Sequence, residues 1–402
     1  MKNSLLAALT LFISMAGENG SRANAEQMNV AFGGLALATY GESQETLLST
    51  YPVAAKLLLC DNMQLIESIG CNDIPNGLRS LVSNYFVKNE FQNINVSYDL
   101  FSSLDTEGFV LVPVINHESL VSADEGRGYS YAFRVFLDVM LLRFRPGEVQ
   151  FVASSPYIIN YFDITDRKLT TKEIEETFIN IYMTENLGVN IFQEAAKDAS
   201  RKFGSLNEKG NYSQITKITL SDEVENILQQ SGPSDSWKQK IGQFLTSQMV
   251  DTTSANIIPS KGTDETVNLM SLVFQDGNRK LSLPTPNFQI ELDVERFVRH
   301  EQTSGSEKLI CFIVAVRLKV KDAFDHEEGN IRFVRRENSC GATKLGTNRE
   351  DKMYFPESLF SLLTGISSQF GTDTNRAFLA EHTEAANATK NQIETLKSLM
   401  FR

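Results

Sequence analysis

The chain has 402 residues, 42% hydrophobic and 22% charged, an ordinary balance for a globular protein with room for two units of about 100 to 200 residues each. Its 38 basic and 50 acidic side chains leave a net charge of −12. That excess of acid, without a long run of Lys and Arg, argues against nucleic-acid binding and against adhesion to an anionic membrane, because both need clustered cations.

Residues 1–25 read as a cleavable secretory signal peptide. Lys2 supplies the positive start, Leu5 to Ile13 the apolar run, and Ala23-Asn24-Ala25 the small-residue cleavage pattern. The run is too short to cross a bilayer of roughly 30 Å as a helix. Cleavage after Ala25 would deliver the protein to the periplasm or outside the cell. No cysteine stands at the cleavage site, so no lipid anchor is expected. No later stretch has the roughly 18 apolar residues of a membrane span; the most apolar, Tyr131 to Phe144, is interrupted by Arg134, Asp138 and Arg143.

A first domain is expected over residues 26–205. It opens with a strand-like run, Val30 to Leu37, followed by a helical stretch from Gln44 to Leu59 that Pro52 interrupts. Leu78, Leu81, Val82 and Tyr85-Phe86 recur at helical spacing and predict an amphipathic helix over Ile74 to Lys88. Ile94 to Val96 reads as a short strand and Phe109 to Ile115 as a longer one. Tyr129 to Phe144 and Val149 to Tyr161 read as long partners turning at Pro146-Gly147. Helices are expected over Thr171 to Met183 and Val189 to Phe203, the first with a capping threonine and an early acid. The polar stretch Ser205 to Ser213 reads as a linker.

A second domain is expected over residues 212–372. It begins with a strand, Ile215 to Leu220. Ser221-Asp222-Glu223 opens a helix by cap logic, Gly232-Pro233 closes it, and Trp237 to Met249 forms the next. Strands follow at Ile257-Ile258, Leu269 to Phe274, Phe288 to Arg299, Leu309 to Val320 and Ile331 to Arg335. Glu357 to Phe370 carries Leu359-Phe360, Leu362-Leu363 and Ile366 on one helical face. Residues 373–402 read as a polar helix with a thin apolar stripe, Phe378-Leu379, Ala385-Ala386, Ile393, Leu396 and Met400. Such a stripe docks on its own domain or on another chain.

Long strands joined by short turns, with helices packed on them, predict a mixed α+β fold of two layers and largely antiparallel sheet. The two halves repeat one order: strand, two helices, short strand, three long strands, helix. Residues lend support to a tandem duplication. Asn116-His117-Glu118 and Arg299-His300-Glu301 each end a strand, and Gln150-Phe151-Val152 and Arg332-Phe333-Val334 follow at similar distances. The order of elements resembles the amino-terminal α/β module of TolB-type and curli-secretion envelope proteins, a likeness that implies a fold and not a function.

Four cysteines, Cys60, Cys71, Cys311 and Cys340, remain after cleavage, and an even number in an exported chain suggests disulfides. Local pairing favours Cys60 with Cys71 and Cys311 with Cys340. The hairpin expected to turn at Asp325 to Gly329 brings the second pair close. Their spacing does not suit a zinc site.

Three of the four histidines precede glutamate: His117-Glu118, His300-Glu301 and His326-Glu327. A zinc-binding helix needs a second histidine four residues on, where Val121, Ser304 and Asn330 stand instead. His117, Glu118, His300 and Glu301 remain as paired strand-end positions that could line a binding site. There is no nucleophile elbow, Walker sequence or dinucleotide fingerprint, and a single Trp is poor equipment for sugar stacking. No cofactor is expected. The reading is a soluble, exported, non-enzymatic binding or assembly factor whose partner is another envelope protein. The alternatives are a secreted hydrolase with an unrecognised acid/base site, and a solute-binding protein with a cleft between its halves.

Overall fold

The computed structural model describes residues 28–39, 47, 50–60, 77–89, 91, 94–97, 108–126, 128–145, 148–184, 190–203, 210–253, 256–260, 269–274, 277–305, 307–335, 340–344 and 350–401. The proposed signal peptide, Cys71, the Pro146-Gly147 turn and residues 205–209 of the linker lie outside these.

The chain has a mixed α+β fold built on two sheets. The first sheet contains β1 (Met28–Phe32), β2 (Ala36–Thr39), β3 (Ile94–Ser97), β4 (Gly108–Asp124), β5 (Tyr129–Arg145) and β6 (Glu148–Thr165). The second contains β7 (Tyr212–Leu220), β8 (Asn256–Ile258), β11 (Phe288–Ser304), β12 (Glu307–Asp322), β13 (Glu327–Arg335) and β14 (Cys340–Lys344). The intervening β9 (Leu269–Phe274) and β10 (Gly277–Ser282) follow β8 in the chain but join the first sheet.

The sheets repeat one topology. In the first, the order β3-β1-β4-β5-β6 has β1 parallel to both β3 and β4, with β4, β5 and β6 an antiparallel meander. In the second, β8-β7-β11-β12-β13 has the same directions throughout. A bulge at Asn116 in β4 is matched by one at Glu295 in β11, each seven residues after the first residue paired to the parallel neighbour, Phe109 and Phe288. This register corrects the matching of His117 with His300: the bulges set His117 against Arg296, four residues out of step.

Glycine explains where the first expected strand divides. Gly34 has φ +87°, and a side chain on Gly33 would run into Val110 and Val112. The backbone therefore crosses β4 closely, Gly33 N bonding Leu111 O at 2.9 Å, and β2 restarts beyond it. There β2 pairs with β4 on one side and β9 on the other, while β10 meets β6 through the single pair Ser282–Gln150. The sheet thus curls onto itself around Val112, Val114, Met140, Leu142, Phe151, Met270 and Leu281.

Helices α1 (Ala54–Cys60), α2 (Leu78–Val87), α3 (Thr171–Met183) and α4 (Ile191–Phe203) cover one face of the first sheet, with Leu57, Phe86, Phe178 and Phe192 in a core with Phe133 and Leu137. Between the sheets lie α5 (Asp222–Leu228), α6 (Ser234–Thr252) and α7 (Asp351–Gln369); Trp237, Leu245 and Leu363 share a core with Phe136 of one sheet and Val316 of the other. Buried on both faces, β5 is a near-continuous apolar run. Strand β12 alternates because its outer face carries ion pairs, Lys319 with Asp293 at 2.8 Å and Arg317 with Glu295 at 2.7 Å.

Two further expectations are corrected. The strands do not end at Asn116-His117-Glu118 or Arg299-His300-Glu301; β4 runs on to Asp124 and β11 to Ser304. In β4 the polar stretch is buried, and Glu118 within it is hydrogen-bonded to Val53, Ala54 and Tyr182. In β11 it continues an exposed ladder with β12 up to the turn at Gly305. The C-terminal segment is two helices, α8 (Arg376–His382), capped by the Asn375 side chain, and α9 (Ala386–Met400). Their apolar stripe docks on this chain itself, with Leu379, Ile393, Leu396 and Met400 in the inter-sheet core.

Cys311 and Cys340 form a disulfide at directly paired positions of β12 and β14, as expected. Cys60 is disulfide-bonded too, and its expected partner Cys71 lies outside the described residues. The Cys311–Cys340 bond closes a separation of 29 residues. Replacing both cysteines by alanine should lower unfolding stability by about 3 kcal/mol, measured by denaturant titration. A loss below about 0.5 kcal/mol would show that the strand ladder alone holds β14.

Candidate functional site

The bulge at Asn116 sends the next two side chains to opposite faces of β4. Glu118 faces the outer helices. It accepts from Val53 N at 3.0 Å, Ala54 N at 2.9 Å and the Tyr182 hydroxyl at 2.7 Å. It therefore caps α1 from a strand 64 residues away, satisfying donors that the helix start leaves open. Burial raises its pKa to about 7, outweighing those three hydrogen bonds and the charge of Lys56. The Tyr51 hydroxyl, within 2.6 Å of Ala38 O and 2.7 Å of Asn116 O, ties the same helix start to the sheet.

His117 faces α6 and is neutral. Burial, then the charge of Lys240, lowers its pKa to about 3. Beside it Arg134 donates to Asn160 Oδ1 at 2.9 Å, pairs with Glu357 and lies 5.0 Å over the Phe360 ring. Lys240 lies 4.6 Å over the Trp237 ring; burial, then Arg134, lowers its pKa to about 8. Asp138 is raised to about 7 by burial. His300 is exposed on the second sheet, and Glu301 pairs with Arg299 at 2.6 Å and Lys308 at 2.5 Å. The structure therefore gathers none of the four expected binding positions into one opening: two are buried on opposite faces of β4, and two lie on another sheet.

An opening among the described residues lies elsewhere, where β6 and β10 part. It is a groove of about 330 Å³, within the range of small-ligand and peptide pockets. After the pair Ser282–Gln150 the two strands share no further ladder. A bulge in β6 at Val152, between the pairs Leu142–Phe151 and Leu141–Ala153, bends that strand away from its neighbour. Tyr212, at the start of β7, closes the gap with its hydroxyl 3.3 Å from Val152 O. Its own backbone is clasped by Asn287, with bonds of 2.7 and 2.8 Å.

Phe151, Val152, Leu283 and Pro284 give the groove apolar walls, and Arg143, Glu148, Gln150 and Ser282 give it a polar rim. The Arg143 guanidinium lies 4.9 Å over the Phe109 ring. The rim offers one cation, one carboxylate, an amide and a hydroxyl. That set suits recognition of a chain with both polar backbone and apolar side chains. From the sequence Arg143 stands out only as an interruption of an apolar run and Gln150-Phe151-Val152 only as a match between the halves, and none of the lining residues as a binding position. The missed signal was Asp276-Gly277, a hairpin dipeptide beside the apolar run Leu269 to Phe274, which marks β9 and β10 as a pair.

No family model and no curated protein matches the chain. Among solved structures it is similar to a protein of Xanthomonas campestris described under the family model DUF330, at 9% identity and a TM-score of 0.25, over 40% of this chain and 81% of that one.

Because the folded-state pKa of Glu118 lies above its unfolded value, the native state binds more protons between about pH 4.5 and 7, and this contribution to stability is lost as pH rises through that window. Wild-type protein should lose on the order of 3 kcal/mol relative to Glu118→Gln between about pH 4.5 and pH 8, measured by denaturant unfolding at each pH. His117 acts oppositely, gaining stability as pH rises from about 3 to 6.5, but it is common to both proteins and cancels in the comparison. Parallel curves for the two proteins would remove Glu118 as a titrating group.

Proposed function

We propose that the protein is an exported, non-enzymatic binding factor of the cell envelope, and that the groove between β6 and β10 holds an extended segment of a partner envelope protein. The observation that carries this reading is the parting of two strands beside an apolar floor. Beyond the pair Ser282–Gln150 the two strands share no ladder, and Phe151, Val152, Leu283 and Pro284 line the groove that opens there. An extended peptide can add there by main-chain hydrogen bonds, with pockets for alternate side chains.

Two features support the compartment. Disulfides at Cys60 and between Cys311 and Cys340 suit an oxidising environment. No described helix is long and apolar enough to cross a membrane. The domain reading, 26–205 and 212–372, belongs to the same proposal, with the β9–β10 segment crossing from the second part to the first sheet.

A photo-crosslinking residue at Glu148 in the intact envelope should capture a discrete partner. Tyr212→Ala should reduce that adduct about tenfold, the effect expected of losing an aromatic anchor. Equal capture from a probe at Phe324, exposed on the β12–β13 turn, would sink the groove assignment. Turnover of a polymer by the purified protein, with no adduct, would replace the binding reading with an enzymatic one.

A further inference from the structure

A second, small cavity lies between the first sheet and α6. It has room of about 10 Å³, the volume of a single water-sized occupant. Asn116, Asp138, Gln243 and Thr246 line it, with Pro156, Pro259 and Ser260 completing the wall. The four polar side chains are 6%, 1%, 7% and 3% exposed. Asn116 Oδ1, Asp138 Oδ1, Gln243 Oε1 and Thr246 Oγ1 have no hydrogen-bond partner among the described residues.

The wall is rich in acceptors and poor in donors. Both prolines lack an N–H. The Gln243 amide is engaged with Asn116 O at 3.5 Å, and the Ser154 hydroxyl and the Asn116 amide with Asp138. The Ser260 hydroxyl donates to Ile215 O at 2.6 Å. A water has two protons to offer the three acceptor oxygens of Asn116, Asp138 and Gln243, and the third is met only if the Thr246 hydroxyl turns its own proton to it. A hard cation takes all four oxygens at once. One carboxylate balances one positive charge. Lys202, whose charge acts on Asp138, is already paired with Asp198 and Asp251 and does not supply that balance.

We propose that this cavity holds a sodium-sized monovalent cation, ligated by Asn116 Oδ1, Asp138 Oδ1, Gln243 Oε1 and Thr246 Oγ1. The ion joins the first sheet, through β4 and β5, to α6, and so acts as a structural link between the layers. This site is separate from the groove, and neither assignment depends on the other.

The test is thermal unfolding of the full mature chain at pH 8 in sodium, potassium or choline chloride at equal ionic strength. Sodium should raise the midpoint by about 2 °C or more over choline, saturating with concentration. Asp138→Asn should abolish the difference. Thr246→Val, which removes one ligand oxygen at constant shape, should weaken it. A crystal structure from sodium buffer should show the four oxygens at about 2.4 Å from the bound atom, the spacing of an ion of calcium's size. Equal midpoints in all three salts, or contacts near the roughly 2.8 Å of a hydrogen-bonded water, would overturn the proposal and leave the cavity to one buried water. Should Asp138→Asn fail to fold, the wild-type salt series and Thr246→Val decide between the same two outcomes.

Discussion

Helix α6 lies between two sheets with eleven of its nineteen residues buried, and this position constrains everything around it. A helix covered on one side needs a single apolar stripe. This one needs two kinds of surface. Trp237, Ile241, Leu245 and Met249 belong to the core it shares with the second sheet and α7. Lys240, Gln243, Thr246 and Ser247 are also buried, and some of them reach polar atoms of the first sheet, Gln243 to Asn116 O and Ser247 to Pro156 O. A buried polar atom left unpaired costs about 1–3 kcal/mol. The polar residues of β4 and β5 are therefore the counterpart of α6, and neither surface would be tolerable without the other.

The repeated topology shows what that constraint changed. Both sheets have the same strand order, the same directions and a bulge at the same place in the strand beside the parallel edge. In the second sheet the bulged residue is Glu295, which holds Arg317 at 2.7 Å and Arg332 at 2.5 Å on an outer face. In the first it is Asn116, closed in by α6 on one side and by α1 on the other. An ion-pair ladder fits a face open to solvent, where each pair is worth little but disturbs nothing. Between layers the neighbouring residues of β4 and β5 are held one by one instead: a neutral His117, a cap at Glu118 and an arginine shared by Asn160 and Glu357.

Much of this was legible in the sequence, and the losses have identifiable causes. The long strands from Tyr129 and Phe288, the amphipathic helix at Leu78 and the pairing of Cys311 with Cys340 followed from periodicity, caps and turn position. The strand ends at His117 and His300 did not, because a run of polar residues inside a strand looks the same whether it meets water or a second buried layer. Pro356 hid the start of α7, which begins at Asp351 and carries the proline within it. Strand β10, Gly-Asn-Arg-Lys-Leu-Ser, has only Leu281 fully buried and shows almost no apolar alternation. The groove depends on that strand, so its residues could not be found by looking for chemistry-bearing side chains alone.

The segment from Asn256 to Pro284 does more to shape the molecule than its composition suggests. It begins as β8 in the second sheet, and its next residues, Pro259 and Ser260, wall the cavity against Asp138. It then crosses to the first sheet, where β9 seals β2 and β10 touches β6 once. Ser282, Leu283 and Pro284 line the groove before Phe288 returns the chain to the second sheet. One excursion thus closes the curled sheet, completes the buried polar cavity and keeps the groove open. Among the described residues the first half shows no counterpart to β9 and β10, so each site is built from residues of the repeated fold together with this excursion. Where the two sheets differ most, along residues 269–284, the excursion adds walls that neither sheet supplies by itself.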